Sequence, residues 1–597
     1  MTSNERAEQA ALADPSRLNQ TQRANSLRVA VESEQDVLVI GAGVTGAGCA
    51  LDAAARGLSV ALVEAGDIAI GTSSRSGKIF HGGLRYLEQY NFSLVAHAIV
   101  ERDLQVKTLC PHLTRPEPFL YPLAKHWERP YAGAGIMLYD IFGLRGRGVP
   151  FHKHFTKRSI MKHAPSIDPS VITGGIQYYD VRMDDARHTM AVVRTAAAYG
   201  AQITTRAPVV DFVKSGNRVT GAVITDSLTG ERYEIRAKVV INAAGPWADD
   251  IQQLAGAHTF QVMPSKGVHL LVRKEAIDSD TGILARASDS VIIARKWWDY
   301  WLVGTTDTPW EGDKGAPVPE VADIEYLLRE LNHFLRKKVQ PSDVLGVFAG
   351  VRPLLKPVGQ DGDTTSALSR DHSIVPGPDG LITIVGGKYT TYRLMAEDTI
   401  DAAVKTTDFG RDVPKSPTKR TPLLGAAGWA ALVNRVTALA SKFLLSGDQV
   451  ERLLSRYGST ITEVLSDGAA DPQLIVPRYD WAGYLPAELL YAVRHEGALT
   501  LSDVMVRRTH LAIELPDGGE AAASEIAALL APAAGWDLTR TDREVTDYRA
   551  EVAADRRALQ AVLAGGSTAV DGDGVHRPTD HARADTDAHS PSPGAVR

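Results

Sequence analysis

The chain has 597 residues, 23% of them charged and 44% hydrophobic, and a formal net charge of −6. That length allows about three to five domains. The composition excludes a chain disordered throughout, and the negative balance argues against wholesale nucleic-acid binding, which needs a basic face. Two cysteines, Cys49 and Cys110, are too few for a disulfide framework or a four-cysteine zinc site, and they point to a reducing, cytoplasmic setting.

Residues 1–34 read as a polar, helical arm without the apolar core that an export signal needs. DVLVI (36–40) has the length and composition of a strand, Gly46 to Arg56 is alanine-rich and helix-prone, Gly57 suits a helix stop, and SVALVE (59–64) is a second strand. No run of about 18 apolar residues follows, so no membrane-spanning helix is expected. Loops, helices and strands alternate over 71–260, and KVVINAAGPWA (238–248) is a strand entering a tight turn. Strand patterns dominate from about 262 to 390. Residues 411–423, which include PKSPTK (414–419), read as a linker. Residues 424–562 read as a separate helical domain, and 563–597, without aromatic residues, as a disordered tail.

The sequence GAGVTGAG (41–48) carries G-x-G-x-x-G at Gly41, Gly43 and Gly46. The first glycine permits the tight strand-to-helix turn. The second lets backbone approach a pyrophosphate, and the third lets helix and strand pack closely, with the helix N-terminus facing the phosphates. Glu64, at the end of the second strand, is placed to accept from ribose hydroxyls. Both FAD and NAD use such a turn. A single copy suits a permanently bound FAD, with substrate and electron acceptor arriving separately.

At 71–87 the chain reads GTSSRSGKIFHGGLRYL, followed in order by DDAR (184–187), INAAGPWA (241–248), SKGVHLLV (265–272), GTTD (304–307), AGVRPLL (349–355), SRDHSI (369–374), GGKYTTYR (386–393) and YAVRHEGALTLSDVMVRRTHL (491–511). This ordered set resembles the FAD-dependent glycerol-3-phosphate dehydrogenases of the aerobic respiratory type, within the wider D-amino-acid-oxidase-like superfamily. The resemblance runs from about 35 to 540. It implies an α/β fold in which a Rossmann-type FAD domain, assembled from discontinuous segments of 35–410, is interleaved with a mixed-sheet substrate domain, and a helical cap follows. It also implies that Thr72, Ser73, Ser74, Gly83, Ala244, Gly245 and Gly387 contact FAD.

A small phosphate dianion needs converging cations, and Arg is suited because its planar fork binds two oxygens. Arg85, Arg352, Arg370 and Lys388 are such cations, expected in glycine-punctuated loops. By the resemblance they line the substrate pocket with Tyr86 and His269. Two histidines, His81 and His269, are candidate acceptors of the alcohol proton. Arg352 and Lys388 are candidates to polarise the oxygen instead, and the sequence leaves these assignments open. No metal site is expected, and His152–His154 is expected in a solvated loop. Trp297, Trp298 and Trp301 read as strand core and turn residues.

The implied reaction is oxidation of sn-glycerol 3-phosphate to dihydroxyacetone phosphate, with hydride passing to flavin N5 and electrons onward to a quinone. An oxygen-using glycerol-3-phosphate or amine oxidase, and a non-catalytic flavoprotein at the membrane, are the alternatives. A quinone lives in the bilayer. The expected surface contact, at the inner face of the cell membrane, is the apolar stretch 131–148 with Ile141, Phe142 and Leu144, flanked by Arg129, Arg145 and Arg147. A homodimer is a possible assembly.

Overall fold

The computed structural model describes residues 14–144, 146–287, 291–357, 371–377 and 379–565. The strand Gln35–Ile40 lies between parallel neighbours, Val60–Val63 on one side and Arg232–Asn242 on the other. Gln202–Thr204 extends the sheet beyond Val60–Val63, and Ile382–Gly386 with His372–Pro376 extends it beyond Arg232–Asn242. Covering both faces requires these strands to be continuous apolar runs rather than alternating ones. Val37 and Val39 pack with the helix Val44–Ala55, whereas Leu38 and Ile40 pack with Leu27 and Ala30 of the N-terminal helix Gln20–Glu32. The arm is therefore core on one side. Its buried Arg23 pairs with Asp226 at 2.7 Å, and Leu18 bridges to Glu496 in the helical region.

A second sheet has ten strands. Its two longest strands, Phe260–Arg273 and Val344–Pro357, run antiparallel with Ser265 opposite Arg352, Gly267 opposite Gly350 and His269 opposite Phe348. Tyr300–Gly304 pairs on the other side of the first of these, with Gly304 opposite His269. Trp297 and Trp301 are buried in this sheet, and Trp298 turns the chain with φ +51°. The triplet His152–His154 enters a strand, Lys153–Thr156, and not a loop, because it pairs with the long strand Gly174–Arg182. His152 Nδ1 sits 2.7 Å from Asp140.

After 410 the chain is helical. The last helix, Leu538–Leu563, lies against Val344–Pro357 and the helix Val321–His333. Buried ion pairs fasten this region to the sheets. Arg507 and Arg508 share Asp67 at 2.6 and 2.7 Å, and Arg187 meets Glu496 at 2.7 Å. Breaking one such pair leaves an uncompensated buried charge, at a cost of about 3–5 kcal/mol. The tail from 566 onward lies outside the described residues.

The helix Glu128–Phe142 has two apolar faces. Ile136 and Tyr139 are buried, while Tyr131, Met137 and Ile141 on the helix, and Leu144 just beyond it, are each at least half exposed. Arg129 donates to the Phe155 carbonyl, and Arg147 donates to the Asp140 carbonyl and stacks on Phe151. These two arginines are tied to the protein, which weakens their expected role toward headgroups; Arg145 lies outside the described residues. No described helix is long and apolar enough to cross a membrane.

Candidate active site

Two adjoining cavities occupy the seam between the sheets. The first, about 540 Å³, is lined by Gly41, Gly43, Glu64, Thr72, Ser73, Ala244, Gly245 and Gly387, among others. The strand Gln35–Ile40 ends at its edge, and the N-terminus of the helix Val44–Ala55 opens onto it. Gly46 stands behind the cavity: a Cβ there would lie 1.9 Å from the Gly41 carbonyl oxygen, so only glycine lets the helix approach the turn. Ser73 Oγ accepts from the Val44 amide at 2.9 Å. The Glu64 carboxylate accepts from the amides of Ala42 and Gly66 at 2.7 and 2.8 Å. Burial pushes its pKa up, against those two amides. Each carboxylate oxygen keeps acceptor capacity at the cavity wall. A helix N-terminus for phosphate and an acid one strand away for ribose form the arrangement a dinucleotide requires.

The second cavity, about 280 Å³, shares Thr72, Pro353, Gly387, Lys388 and Tyr389 with the first. His81, Gly83, Arg85, Tyr86, His269, Arg352 and Lys388 all line it. Of the remaining expected residues, Ser74 faces a small cleft behind Phe348 instead of the dinucleotide cavity, and Gly83 faces the second cavity. Arg370 lies outside the described residues.

Sheet register builds this second cavity. Side chains of alternate strand residues share a face, so Ser265, Gly267 and His269 stand with Arg352, Gly350 and Phe348. The opposed glycines make room on that face for neighbouring groups, among them the Arg75 backbone, which packs over Gly350, and His269 stacks on Phe348 (centroids 5.2 Å apart). Arg352 thus sits in a strand, not in a loop. Its guanidinium lies over Gly267 and donates to Thr305 Oγ1 at 2.9 Å and toward Asp307 at 3.5 Å. Opposite, Lys388 Nζ lies 3.7 Å from the centre of the Tyr86 ring, and the Arg85 guanidinium lies 4.9 Å from the same ring while donating to the Tyr86 hydroxyl at 3.0 Å. Three cations therefore face one small space.

His269 is 7% exposed. Burial first, then the cations Arg352, Lys78 and Arg295, push its pKa down to about 3, so the imidazole is neutral at pH 7. His81 is held by its backbone, which exchanges hydrogen bonds with the Thr390 hydroxyl.

Residues 36–393 match the family described as FAD dependent oxidoreductase, and residues 416–541 the C-terminal domain of alpha-glycerophosphate oxidase. A relative named glycerol-3-phosphate dehydrogenase 2, from Mycobacterium tuberculosis, is 47% identical over 540 residues, covering 90% of this chain and 91% of that protein. The chain belongs to the FAD-dependent oxidoreductase family that includes the glycerol-3-phosphate dehydrogenases. The human mitochondrial glycerol-3-phosphate dehydrogenase is 35% identical over 89% of this chain and 74% of its own length. The structure of the Bacillus halodurans glycerol-3-phosphate dehydrogenase complexed with FAD superposes with a TM-score of 0.73 at 29% identity, covering 90% of this chain and 98% of that one. The chain is accordingly an enzyme with FAD as cofactor, and the first cavity has the groups that FAD requires.

Several residues of the site carried no role in the sequence. Thr305 and Asp307 orient Arg352. The buried Asp185 accepts from Lys78 Nζ at 2.6 Å and from Ser76, pinning the 72–78 loop, and its carbonyl accepts from Tyr389 at 2.7 Å. They fall within motifs visible in the sequence, GTTD and DDAR, but their partners lie far away along the chain.

Proposed function

We propose that the protein oxidises sn-glycerol 3-phosphate to dihydroxyacetone phosphate and passes the electrons to a quinone at a membrane surface. The observation that carries the substrate assignment is the convergence of Arg85, Arg352 and Lys388 on the cavity that adjoins the dinucleotide cavity. A phosphate dianion there meets charge-assisted donors from two sides, while a cavity of about 280 Å³ gives room for a three-carbon chain. When bound, FAD supplies the acceptor for the hydride leaving C2.

The protein's own part is to orient the substrate, hold the developing negative charge on the C2 oxygen and take its proton. Lys388 lines both cavities and is the cation nearest the seam, which suits it to the charge. His269 is neutral at pH 7 and lines the cavity, which suits its imidazole to accept a proton there. A dianion beside Arg352 offsets one of the charges that depress its pKa, and so strengthens it as a base once substrate is bound. His81 is the alternative base.

The quinone reading rests on the exposed apolar face of Met137, Ile141 and Leu144. Anaerobic titration of the purified protein with glycerol 3-phosphate should bleach the flavin stoichiometrically. A flavin left oxidised by glycerol 3-phosphate would end the substrate assignment, and stoichiometric peroxide release in air would assign oxygen as the acceptor instead.

A further inference from the structure

The loop His81–Leu87 presents His81, Arg85 and Tyr86 to the substrate cavity, yet nothing in its own sequence fixes its backbone. The structure fixes it from behind. The Gly82 amide points away from the cavity and donates to the Tyr139 hydroxyl at 2.7 Å, with Asp180 Oδ1 at 3.3 Å. The Tyr139 hydroxyl in turn donates to Asp180 at 2.5 Å, and Arg102 donates to Asp180 at 2.9 Å, to Tyr139 at 3.3 Å and to the Tyr179 carbonyl at 3.1 Å. Tyr139, Asp180 and Arg102 are all buried, and Asp103 balances Arg102 at 2.9 Å. Packing agrees with the bonding: a Cβ on Gly82 would lie 2.4 Å from the Tyr139 oxygen and 2.5 Å from Ile99. Asp180 also lines the substrate cavity itself. A carboxylate there would oppose a phosphate dianion, and the Tyr139 hydroxyl and Arg102 are the groups that pair with it.

We infer that Tyr139, acting with Asp180 and Arg102, is a positioning residue for substrate binding: by holding the Gly82 amide it sets the His81–Gly82 peptide at the head of the loop that carries His81 and Arg85. The inference rests on the glycerol 3-phosphate reading for its substrate. Without the hydroxyl, the Gly82 amide keeps only its long contact to Asp180, and Asp180 loses its shortest donor. A merely structural tyrosine would instead affect folding and FAD retention and leave the kinetic constants of the folded fraction unchanged.

The test uses the FAD-loaded full chain with a soluble dye as acceptor. Tyr139→Phe removes one oxygen and keeps the ring. It should retain FAD and raise KM for glycerol 3-phosphate about tenfold, the worth of one hydrogen bond to a buried partner, while kcat falls less than threefold. Inorganic phosphate, titrated as a probe and read from its perturbation of the flavin absorbance, should bind weaker by the same factor. This arm needs no turnover, so it tests the positioning role even if glycerol 3-phosphate proves not to be the substrate. Asp180→Asn, which keeps an acceptor oxygen for the Gly82, Tyr139 and Arg102 donors, should be milder than Asp180→Ala. A Tyr139→Phe variant with KM and phosphate affinity within twofold of wild type would overturn the inference, as would a loss confined to FAD content.

Discussion

Arg352 is the residue on which the substrate assignment can be tested most directly. Replacing it by Ala removes one of the three cations facing the cavity and uncovers Gly267, over which its guanidinium lies. Truncating one partner of a buried charge-assisted pair costs about 2–5 kcal/mol. The Arg352 side chain is 23% exposed, so solvent screens part of that, and the lower half of the range applies. About 2–3 kcal/mol corresponds to a 30- to 150-fold fall in kcat/KM at about 1.4 kcal/mol per decade. Stability should change by less than about 1 kcal/mol, because the pair to Asp307 is long, at 3.5 Å, and partly exposed, and Asp307 retains Ser265 as a donor. Arg352→Lys keeps the charge without the fork and should fall between wild type and Ala. The assay is anaerobic flavin reduction followed against glycerol 3-phosphate concentration, with FAD content and Tm as controls. Because Arg352 also helps hold the His269 pKa down, the acid limb of the pH profile should move upward in Arg352→Ala. A second-order reduction constant within threefold of wild type would remove Arg352 from the phosphate site and refute the reasoning that placed it there.

Gly43→Ala puts a methyl at the pyrophosphate turn, where it would sit 3.2 Å from Ser73 Oγ. FAD occupancy of the purified variant should drop sharply, and full occupancy would displace the cofactor from this turn. Burial holds His112, His188 and His269 neutral, with pKa values pushed down to about 3. The unfolded chain binds protons at these sites near pH 6.5, so their contribution is intact above that pH and is lost as pH falls toward 3, about 2 kcal/mol for each by pH 5. Tm should therefore fall between pH 7 and pH 5, and fall less in His269→Gln; identical slopes would mean that His269 is not buried neutral. The double variant Met137→Ser with Ile141→Ser should sediment about thirtyfold less with anionic vesicles, since two half-exposed apolar side chains contribute about 2 kcal/mol to surface binding. Quinone reduction should slow and dye reduction should survive; equal loss with both acceptors would make that face part of the core. Phe142 is a poor choice for this test because it is half-buried against the helix's own core.

The dinucleotide cavity was legible because its parts are local. A strand, a glycine turn, a helix and a second strand ending in Glu64 lie within 30 residues, and each follows from period, turn chemistry and helix stops. The cations that line the second cavity, Arg85, Arg352 and Lys388, also stood out in the sequence, since a phosphate would demand cations and these lie in apolar or glycine-rich surroundings. What stayed hidden depends on distance along the chain. The two faces of the helix Glu128–Phe142 carry apolar residues of the same kind, and only the packing of Ile136 and Tyr139 shows which face is inward.

The strand pair of the second cavity shows the same limit at closer range. SKGVHLLV and AGVRPLL each read as a strand containing one glycine, and a lone glycine in a strand suggests only a bulge or a close backbone approach. The register sets Gly267 against Gly350. A slip of one residue would send His269 and Arg352 to the opposite face, so the site exists only in this pairing. Ser265 opposite Arg352 and Phe348 opposite His269 then follow without further choice, and the space over the two glycines is taken by the Arg352 guanidinium and the Arg75 backbone. The geometry of the second cavity is therefore set by how two 14-residue strands align, in a register that holds from Phe260 to Leu271, and many of the residues in that pairing are apolar ones outside the cavity lining.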